Sequence, residues 1–158
     1  MERKQRFSSI VECEIGDGTV IYDQVNLYKC KIGRNCKIDS FTYIEEGVKI
    51  GDYCKVRPFV FIPTGVEIGD YVFIGPNVTF TNDKYPRIQE EWTLLKTIIE
   101  DHVSIGANTV IVAGVKIGKN SLIGAGSVIT KSVPSNSVVV GLNRILRARS
   151  EQDWEGRL

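Results

Sequence analysis

The sequence has one histidine in 158 residues, and its basic and acidic residues almost balance, at a net charge of +1. This balance argues against a nucleic-acid partner, because nucleic-acid-binding domains are usually clearly basic. No apolar run approaches the roughly 20 residues needed to cross a bilayer, and the N-terminal MERKQRFSSIVE lacks the apolar segment of a signal peptide. We therefore expect a cytoplasmic protein without a membrane span and, from its length, a single domain over residues 1–158.

What the sequence does contain is a six-residue repeat. From Ile99 to Pro134 every sixth residue is Ile, and eight consecutive units between Ile32 and Thr79 begin with Ile or Val. Neither a helix nor a single strand has a period of six, whereas a chain that turns a corner every six residues does. We expect the first place and the small fifth place to point inward, and places two to four to form corners where positive φ is needed. Such a core is thin, so we also expect subunits to associate.

The repeat also explains the four cysteines. Cys13, Cys36 and Cys54 occupy fifth places, and Cys30 occupies the matching position of LYKCK, a unit that is one residue short. We expect all four to be reduced and to pack as small buried hydrophobic residues. The sequence contains neither zinc-type CxxC spacing nor a Cys–His pair, so we expect no metal and no cysteine nucleophile.

Residues 80–98, FTNDKYPRIQEEWTLLKTI, interrupt the repeat. Insertions in repeat proteins map to surface loops and often to a binding face. We expect the NDKYPR half to be exposed and Trp92, Leu94 and Leu95 to anchor the loop on the coil. Beyond Pro134 the repeat ends: we expect a last strand over Val138–Val140, a turn at Gly141, and a C-terminal cap over 141–158 with a short polar helix within 143–155.

Sustained over some seventeen units, the pattern [Ile/Val]-Gly-x-x-[small]-x resembles the hexapeptide-repeat acyltransferases, over roughly residues 9–147. The resemblance implies an all-β fold, a left-handed parallel β-helix of triangular section with three units per coil. Seventeen units then correspond to between five and six coils. The resemblance also implies a homotrimer with active sites between adjacent subunits.

A narrower resemblance lies in GPNVTFTNDKYPR (75–87) followed by the repeat at 105–134. These segments look like nucleotide-sugar N-acetyltransferases, which use acetyl-CoA to acetylate a 3-amino group of a UDP- or dTDP-linked hexose in surface polysaccharide (lipopolysaccharide) biosynthesis. The resemblance places Asn82 at the active site. This chain departs from the pattern twice: its loop lacks the catalytic histidine of related O-acetyltransferases, and Gly141-Leu142-Asn143-Arg144 replaces a common Gly-x-Pro-Ala ending.

The implied reaction is thioester aminolysis, which needs a deprotonated amine, an oxyanion donor and close positioning. Asn82 can orient the amine but cannot take up its proton. Asp83 is a plausible carboxylate to hold the ammonium or to accept a proton. His102 is the only histidine and histidine suits general-base catalysis near neutral pH, although its corner place also suits an exposed polar residue without function. A third possibility is that the departing thiolate collects the proton.

The resemblance also assigns the binding residues. Tyr85 and Arg87 are candidate contacts to the sugar nucleotide, because Tyr can stack and Arg can pair with a diphosphate. The pantetheine arm of CoA would run along small corners of the C-terminal coils, and basic residues would meet its phosphates. The expected cofactor contacts are Gly106, Ala107, Ala113, Gly124, Ala125, Lys131, Arg144 and Arg147.

Three other functions fit the same repeat. O-acetylation of a sugar shares the fold and acetyl-CoA, but the missing loop histidine argues against it. A γ-type carbonic anhydrase needs three His ligands for zinc, and this chain has one. A non-catalytic scaffold would not need the NDKYPR interruption.

Overall fold

The structure is a computed structural model that describes residues 7–88 and 93–149. Within these residues the chain forms short β-strands and no α-helix. In chain order the strands are β1 (Ser9–Val11), β2 (Glu14–Ile15), β3 (Val20–Ile21), β4 (Asn26–Tyr28), β5 (Lys31–Ile32), β6 (Lys37–Ile38), β7 (Tyr43–Ile44), β8 (Lys49–Ile50), β9 (Lys55–Val56), β10 (Phe61–Ile62), β11 (Val66–Ile68), β12 (Phe73–Ile74), β13 (Thr79–Phe80), β14 (Thr97–Ile99), β15 (Ser104–Ile105), β16 (Val110–Ile111), β17 (Lys116–Ile117), β18 (Leu122–Ile123), β19 (Val128–Ile129), β20 (Ser137–Val140) and β21 (Arg144–Ala148).

Every third strand joins the same sheet, so the chain winds as a three-sided parallel β-helix. The first sheet contains seven strands (β1 to β19), the second six (β2 to β17) and the third eight (β3 to β21). The seven strands of the first sheet give about seven coils, more than the five to six that we expected. The expectation was too low because two sides of the coil were not counted. One is the side at Phe80 (β13), after which the inserted loop interrupts the repeat, and the other is β20.

The interior follows the predicted pattern. First-place residues such as Ile38, Ile74 and Ile123 are fully buried, and so are small fifth-place residues such as Cys36, Thr109 and Ser127. The first coil is the exception among the described coils: its first-place Ile15 is 38% exposed, and its inward Ile10, Cys13 and Ile21 are only partly buried. The fold class is confirmed.

The corners also follow the prediction. The fourth place adopts positive φ in most full units, not only at glycine and asparagine but also at aromatic residues and at His102 (φ 59°); Ser132 is an exception. We name the three corners by what they carry. The loop corner joins the first sheet to the second and contains residues 81–96; the ring corner joins the second to the third and contains Tyr53, Tyr71 and His102; the small corner joins the third to the first and contains Gly106, Ala107, Gly124 and Ala125.

The C-terminal prediction was right for the last parallel strand and wrong for the cap. Strand β20 pairs in parallel with β18, as expected for Val138–Val140. The following segment is not a helix over 144–148: it turns back as β21 and pairs antiparallel with β20. An unpaired outer edge of β20 would leave backbone groups without partners, and β21 satisfies them. Residues 150–155 of the predicted helix lie outside the described residues.

Among residues 7–88 and 93–149 there is no helix with the length and apolarity needed to cross a membrane.

Candidate functional site

The inserted loop starts at a fixed point on the neighbouring coil. The backbone N–H of Ala113 donates to Thr81 Oγ1 at 3.0 Å, so Thr81 ties the loop to the corner one coil further on. Asn82 and Asp83 follow directly and are partly buried. The structure therefore holds these two predicted catalytic residues at the loop corner. Sequence reasoning missed Thr81, although its position one residue after the buried Phe80 was a usable signal.

Asp83 shapes the loop from within. Its Oδ1 accepts the backbone N–H of Tyr85 at 2.9 Å, a local turn typical of aspartate. Tyr85 is 70% exposed, and the Nζ of Lys84 lies 5.6 Å from the centroid of its ring. Arg87 is also exposed. Residues 84–87 are thus presented to solvent, as predicted for the NDKYPR half, whereas Asn82 and Asp83 are partly buried.

The returning half of the loop packs on glycines of the loop corner. A Cβ placed on Gly65 would meet Leu94 Cδ1 at 2.8 Å, and one on Gly114 would meet Leu95 Cβ at 3.2 Å. Both glycines also have positive φ, which favours glycine on its own. The anchoring role predicted for Leu94 and Leu95 is confirmed, and Trp92 lies outside the described residues.

His102 is the last ring of an aromatic column at the ring corner. Tyr53 and Tyr71 stack with centroids 4.8 Å apart, and Tyr71 and His102 with centroids 5.0 Å apart at an interplanar angle of 7°. From the C-terminal strand side, Arg149 Nη1 donates to the carbonyl oxygens of Ser121 (3.0 Å) and His102 (3.4 Å). His102 is therefore held both through its ring and through its backbone, a property that the sequence analysis did not predict.

A second column at the ring corner is electrostatic. The third-place N–H of Arg34 donates to Asp52, that of Asp52 to Asp70, and that of Asp70 to Asp101, at 2.7 to 3.0 Å. The N–H and the guanidinium of Arg34 hold the pKa of Asp52 below its usual value, because both stabilise the charged carboxylate. An aspartate of each of these coils thus accepts a corner N–H from the coil before it.

The small corner is built differently. A Cβ on Gly106 would overlap the backbone of Ala125, and one on Gly124 would meet Val140 Cγ1 at 2.9 Å. These predicted cofactor contacts are therefore glycines because successive coils stack closely there. Among the described residues, the third-place N–H groups of Ala107 and Ala125 have no protein acceptor. Ala125 is exposed and Ala107 partly so, so both amides can serve as donors to a ligand.

The other predicted cofactor contacts lie apart from these two alanines. Ala113 is only 2% exposed and its N–H is taken by Thr81, so it offers little to a ligand. Lys131 is exposed at the loop corner of the last coil, where its N–H and that of Thr130 approach Asn143 Oδ1. Arg144 and Arg147 lie on β21, at the end of the third sheet.

The fifth coil carries most of the candidate chemistry, but on three different corners. Asn82 follows β13 at the loop corner, His102 follows β14 at the ring corner, and Ala107 follows β15 at the small corner. A groove of about 480 Å³ crosses the second sheet between the first two, lined in part by Glu67, Ile98, Glu100, Asp101 and Lys119. The groove thus lies on the second sheet and next to the ring corner, while the small corner lies on another side of the chain.

The described residues contain no group of three or more His, Cys, Asp or Glu side chains placed to hold a metal ion.

The family model described as bacterial transferase hexapeptide (six repeats) matches residues 29–64 and 96–131. Its two matched segments flank the inserted loop. No curated protein matches the chain at the level of significance applied to the structures.

Solved structures give the same fold. AntD from Bacillus cereus, described as an N-acyltransferase, in complex with dTDP-4-amino-4,6-dideoxyglucose and coenzyme A, is 25% identical at a TM-score of 0.80, over 96% of this chain and 88% of that one. The hexapeptide-repeat-containing acetyltransferase VCA0836 from Vibrio cholerae is 30% identical at a TM-score of 0.61, over 85% of this chain and 76% of that one. A hexapeptide transferase family protein from Anaplasma phagocytophilum is 18% identical at a TM-score of 0.75, over 89% and 81%.

Proposed function

This chain belongs to the hexapeptide-repeat acyltransferases, and we propose that it transfers the acetyl group of acetyl-CoA to an amino group of a nucleotide-linked hexose. The 3-amino position and a UDP or dTDP carrier are the preferred form of this proposal. Surface polysaccharide (lipopolysaccharide) biosynthesis, a cytoplasmic location and a single domain over the whole chain are part of it. The similarity to AntD, crystallised with a dTDP-linked amino sugar and coenzyme A, supports the substrate class.

The single observation that carries the proposal is the pair of unoccupied amides at the small corner. At the ring corner the third-place N–H groups are capped by carboxylates, whereas those of Ala107 and Ala125 have no protein acceptor in the described chain. Small side chains there let a ligand approach the backbone. A pantetheine arm has amide carbonyls spaced along it, and the acyl carbonyl becomes an oxyanion during transfer. Such donors are worth a few kcal/mol at a developing oxyanion.

The acceptor side of the reaction is assigned to the loop corner. The amine attacks the thioester carbonyl carbon, the C–S bond breaks, and the CoA thiolate leaves. Asn82 orients the amine by hydrogen bonding, and Asp83 adds a carboxylate that attracts the ammonium form. Tyr85 and Arg87 extend from the same exposed loop toward the sugar nucleotide and its diphosphate. The proton lost by the amine goes to His102 or to the departing thiolate.

The separation of the three corners supports a homotrimer as the working form. Asn82 and the free amides lie on different corners of one chain, so bringing acetyl-CoA to the loop requires the small corner of another copy. Positioning the two substrates in one cleft contributes several kcal/mol to the rate. Lys131, Arg144 and Arg147 would then meet the phosphates of CoA at its outer end.

The deciding experiment is a thiol-release assay with acetyl-CoA and a longer acyl-CoA, against UDP- and dTDP-linked 3-amino and 4-amino hexoses. Matched sugars with a hydroxyl in place of the amine serve as controls. We expect turnover with an amino sugar and none with its hydroxyl counterpart. Turnover of the hydroxyl sugars alone would establish O-acetylation, and no CoA binding by calorimetry would favour a scaffold.

The CoA assignment is tested by Ala125→Trp. Ala125 is exposed at the small corner, so a bulky side chain should cover the free amides without entering the core. We expect the affinity for CoA to fall at least tenfold, which is about 1.4 kcal/mol, with an unchanged unfolding temperature. Val20→Trp, on the third sheet of the first coil, is the matched control and should leave CoA binding intact. Equal affinity for both variants would remove the small corner from the CoA site.

A further inference from the structure

Two of the four cysteines are stacked at the open N-terminal end of the β-helix. Cys30 Sγ lies 3.6 Å from Cys13 Sγ. The paired residues Glu14 and Lys31 follow them directly on adjacent parallel strands. Neighbouring strands lie about 4.8 Å apart, within the Cα separation of about 4.4–6.8 Å that a disulfide requires. Rotation of the two side chains can therefore bring the sulfurs into bonding distance without moving the backbone.

The two thiols differ in their access to solvent. Cys30 is 1% exposed, whereas Cys13, in the first of the described coils, is only partly buried. Burial raises the pKa of Cys30 to about 12, so this thiol is a poor first nucleophile. An oxidant from solution therefore meets Cys13 first, and Cys30 lies in contact with it to complete the exchange.

We propose that Cys13 and Cys30 are a reversible modification site, forming a disulfide when the protein meets a small disulfide oxidant such as oxidised glutathione. The Cys13 thiolate attacks one sulfur of oxidised glutathione and releases one glutathione thiolate. Cys30 then loses its proton and attacks Cys13 Sγ, releasing the second glutathione. The two cysteines lose two electrons and two protons, which the oxidant carries away as two glutathione thiols.

The disulfide would join the first coil to the second. The first coil has the most exposed interior residues among the described coils: Ile15 is 38% exposed, and Ile10 and Ile21 are only partly buried. A covalent link between neighbouring coils restricts local opening of this end.

The second pair of cysteines is an internal control for the effect of solvent access. Cys36 and Cys54 are also stacked one coil apart, with the N–H of Cys54 3.3 Å from Cys36 Sγ, but both are fully buried. If stacking alone allowed oxidation, this pair would react as well. If access decides, only the pair at the open end reacts.

The test uses the full chain with oxidised glutathione, followed by alkylation and peptide mass mapping. We expect a loss of about 2 Da, a cross-link between Cys13 and Cys30, and at least tenfold less alkylation of Cys13, all reversed by dithiothreitol. Cys36 and Cys54 should be alkylated only after denaturation. Oxidation of that buried pair first, a stable glutathione adduct on Cys13, or no reaction would each overturn the proposal.

Two conservative variants keep the test independent of folding. The inward column continues from Cys30 to Val48 and from Cys54 to Val72, so valine suits both positions. Cys30→Val should leave a persistent glutathione adduct on Cys13, because the resolving thiol is gone. Cys54→Val should still form the disulfide. A cross-link lost in Cys54→Val but not in Cys30→Val would contradict the assignment.

Discussion

The ring corner and the small corner are made by the same six-residue unit, yet they present opposite surfaces. At the ring corner, Tyr53, Tyr71 and His102 stack along the coil axis, and aspartates cap the amides. At the small corner of the fifth and sixth coils, the amides of Ala107 and Ala125, each within a Gly-Ala pair, have no acceptor in the part of the chain that the structure describes. The comparison shows that the repeat specifies the path of the backbone. The residues at places two to four decide whether the corner N–H groups find acceptors within the chain or remain available to a ligand.

Substitution of a small-corner glycine should give the largest effect, because close stacking of the coils there leaves no room for a side chain. Gly106→Ala should destabilise the fold by about 3 kcal/mol, because the new Cβ overlaps the backbone of Ala125 and overpacking of this kind costs about 1–3 kcal/mol or more. Urea unfolding measures it. Gly47→Ala is the control, since a Cβ there meets nothing within 4 Å and only its positive φ opposes alanine. Because Gly106 does not have positive φ, a loss no larger than that of Gly47→Ala would mean that the neighbouring coil yields and that coil stacking does not demand glycine.

His102 tests whether the ring corner takes part in the reaction at all. We expect His102→Asn to lower kcat at least tenfold, about 1.4 kcal/mol of transition-state stabilisation, with little change in stability. Asparagine is chosen because Asn120 occupies the next position of the same column with a φ of 61°, so the backbone should be preserved. Tyr71→Asn, which removes the stacking partner, should have a smaller effect. A nearly normal rate for His102→Asn would leave the thiolate as the proton acceptor.

Lowering the pH should destabilise the ring corner slightly and leave the small corner unaffected. The lowered pKa of Asp52 means that its contribution is complete above its ordinary value near 3.8 and is lost as the pH falls through its lower folded-state pKa. Because this carboxylate is exposed, we expect a fall of only a few degrees in the unfolding temperature between pH 7 and pH 3. The protection of the Arg34 amide, measured relative to its intrinsic exchange rate at each pH, should fall, and that of Gly106 should not. A loss of protection at both sites would indicate general acid unfolding instead.

The sequence predicted the fold because one residue in six must be buried whatever else varies, and Ile or Val marks that place. It predicted the anchoring leucines because they are apolar residues in an otherwise polar loop. It did not predict β21, because RILRA pairs through its backbone and carries no sixfold or alternating signal. It also predicted too few coils, since the side at Phe80 leads into the inserted loop and has no recognisable six-residue unit.

The candidate site was only partly predictable. Asn82 and the small residues could be proposed one by one from the pattern, but their distribution over three corners follows from the number of units per coil. The aromatic column had a readable signal: Tyr53 and Tyr71 are 18 residues apart, and His102 continues the series once the inserted residues are discounted. The clamp by Arg149 had no such signal, because it depends on where β21 turns.

The loop corner accommodates changes in chain length without disturbing the three sheets. Leu27 and Ile32 are one residue closer in sequence than Ile62 and Ile68, and Phe80 and Ile99 are thirteen residues further apart, yet all these pairs stay in register across their sheets. The backbone pairing in the first and second sheets does not depend on the number of residues at the corner between them. This corner is therefore suited to loop exchange: the residues between Thr81 and Leu94 can be replaced by a loop of another length while Thr81, Leu94 and Leu95 keep their contacts with the neighbouring coils.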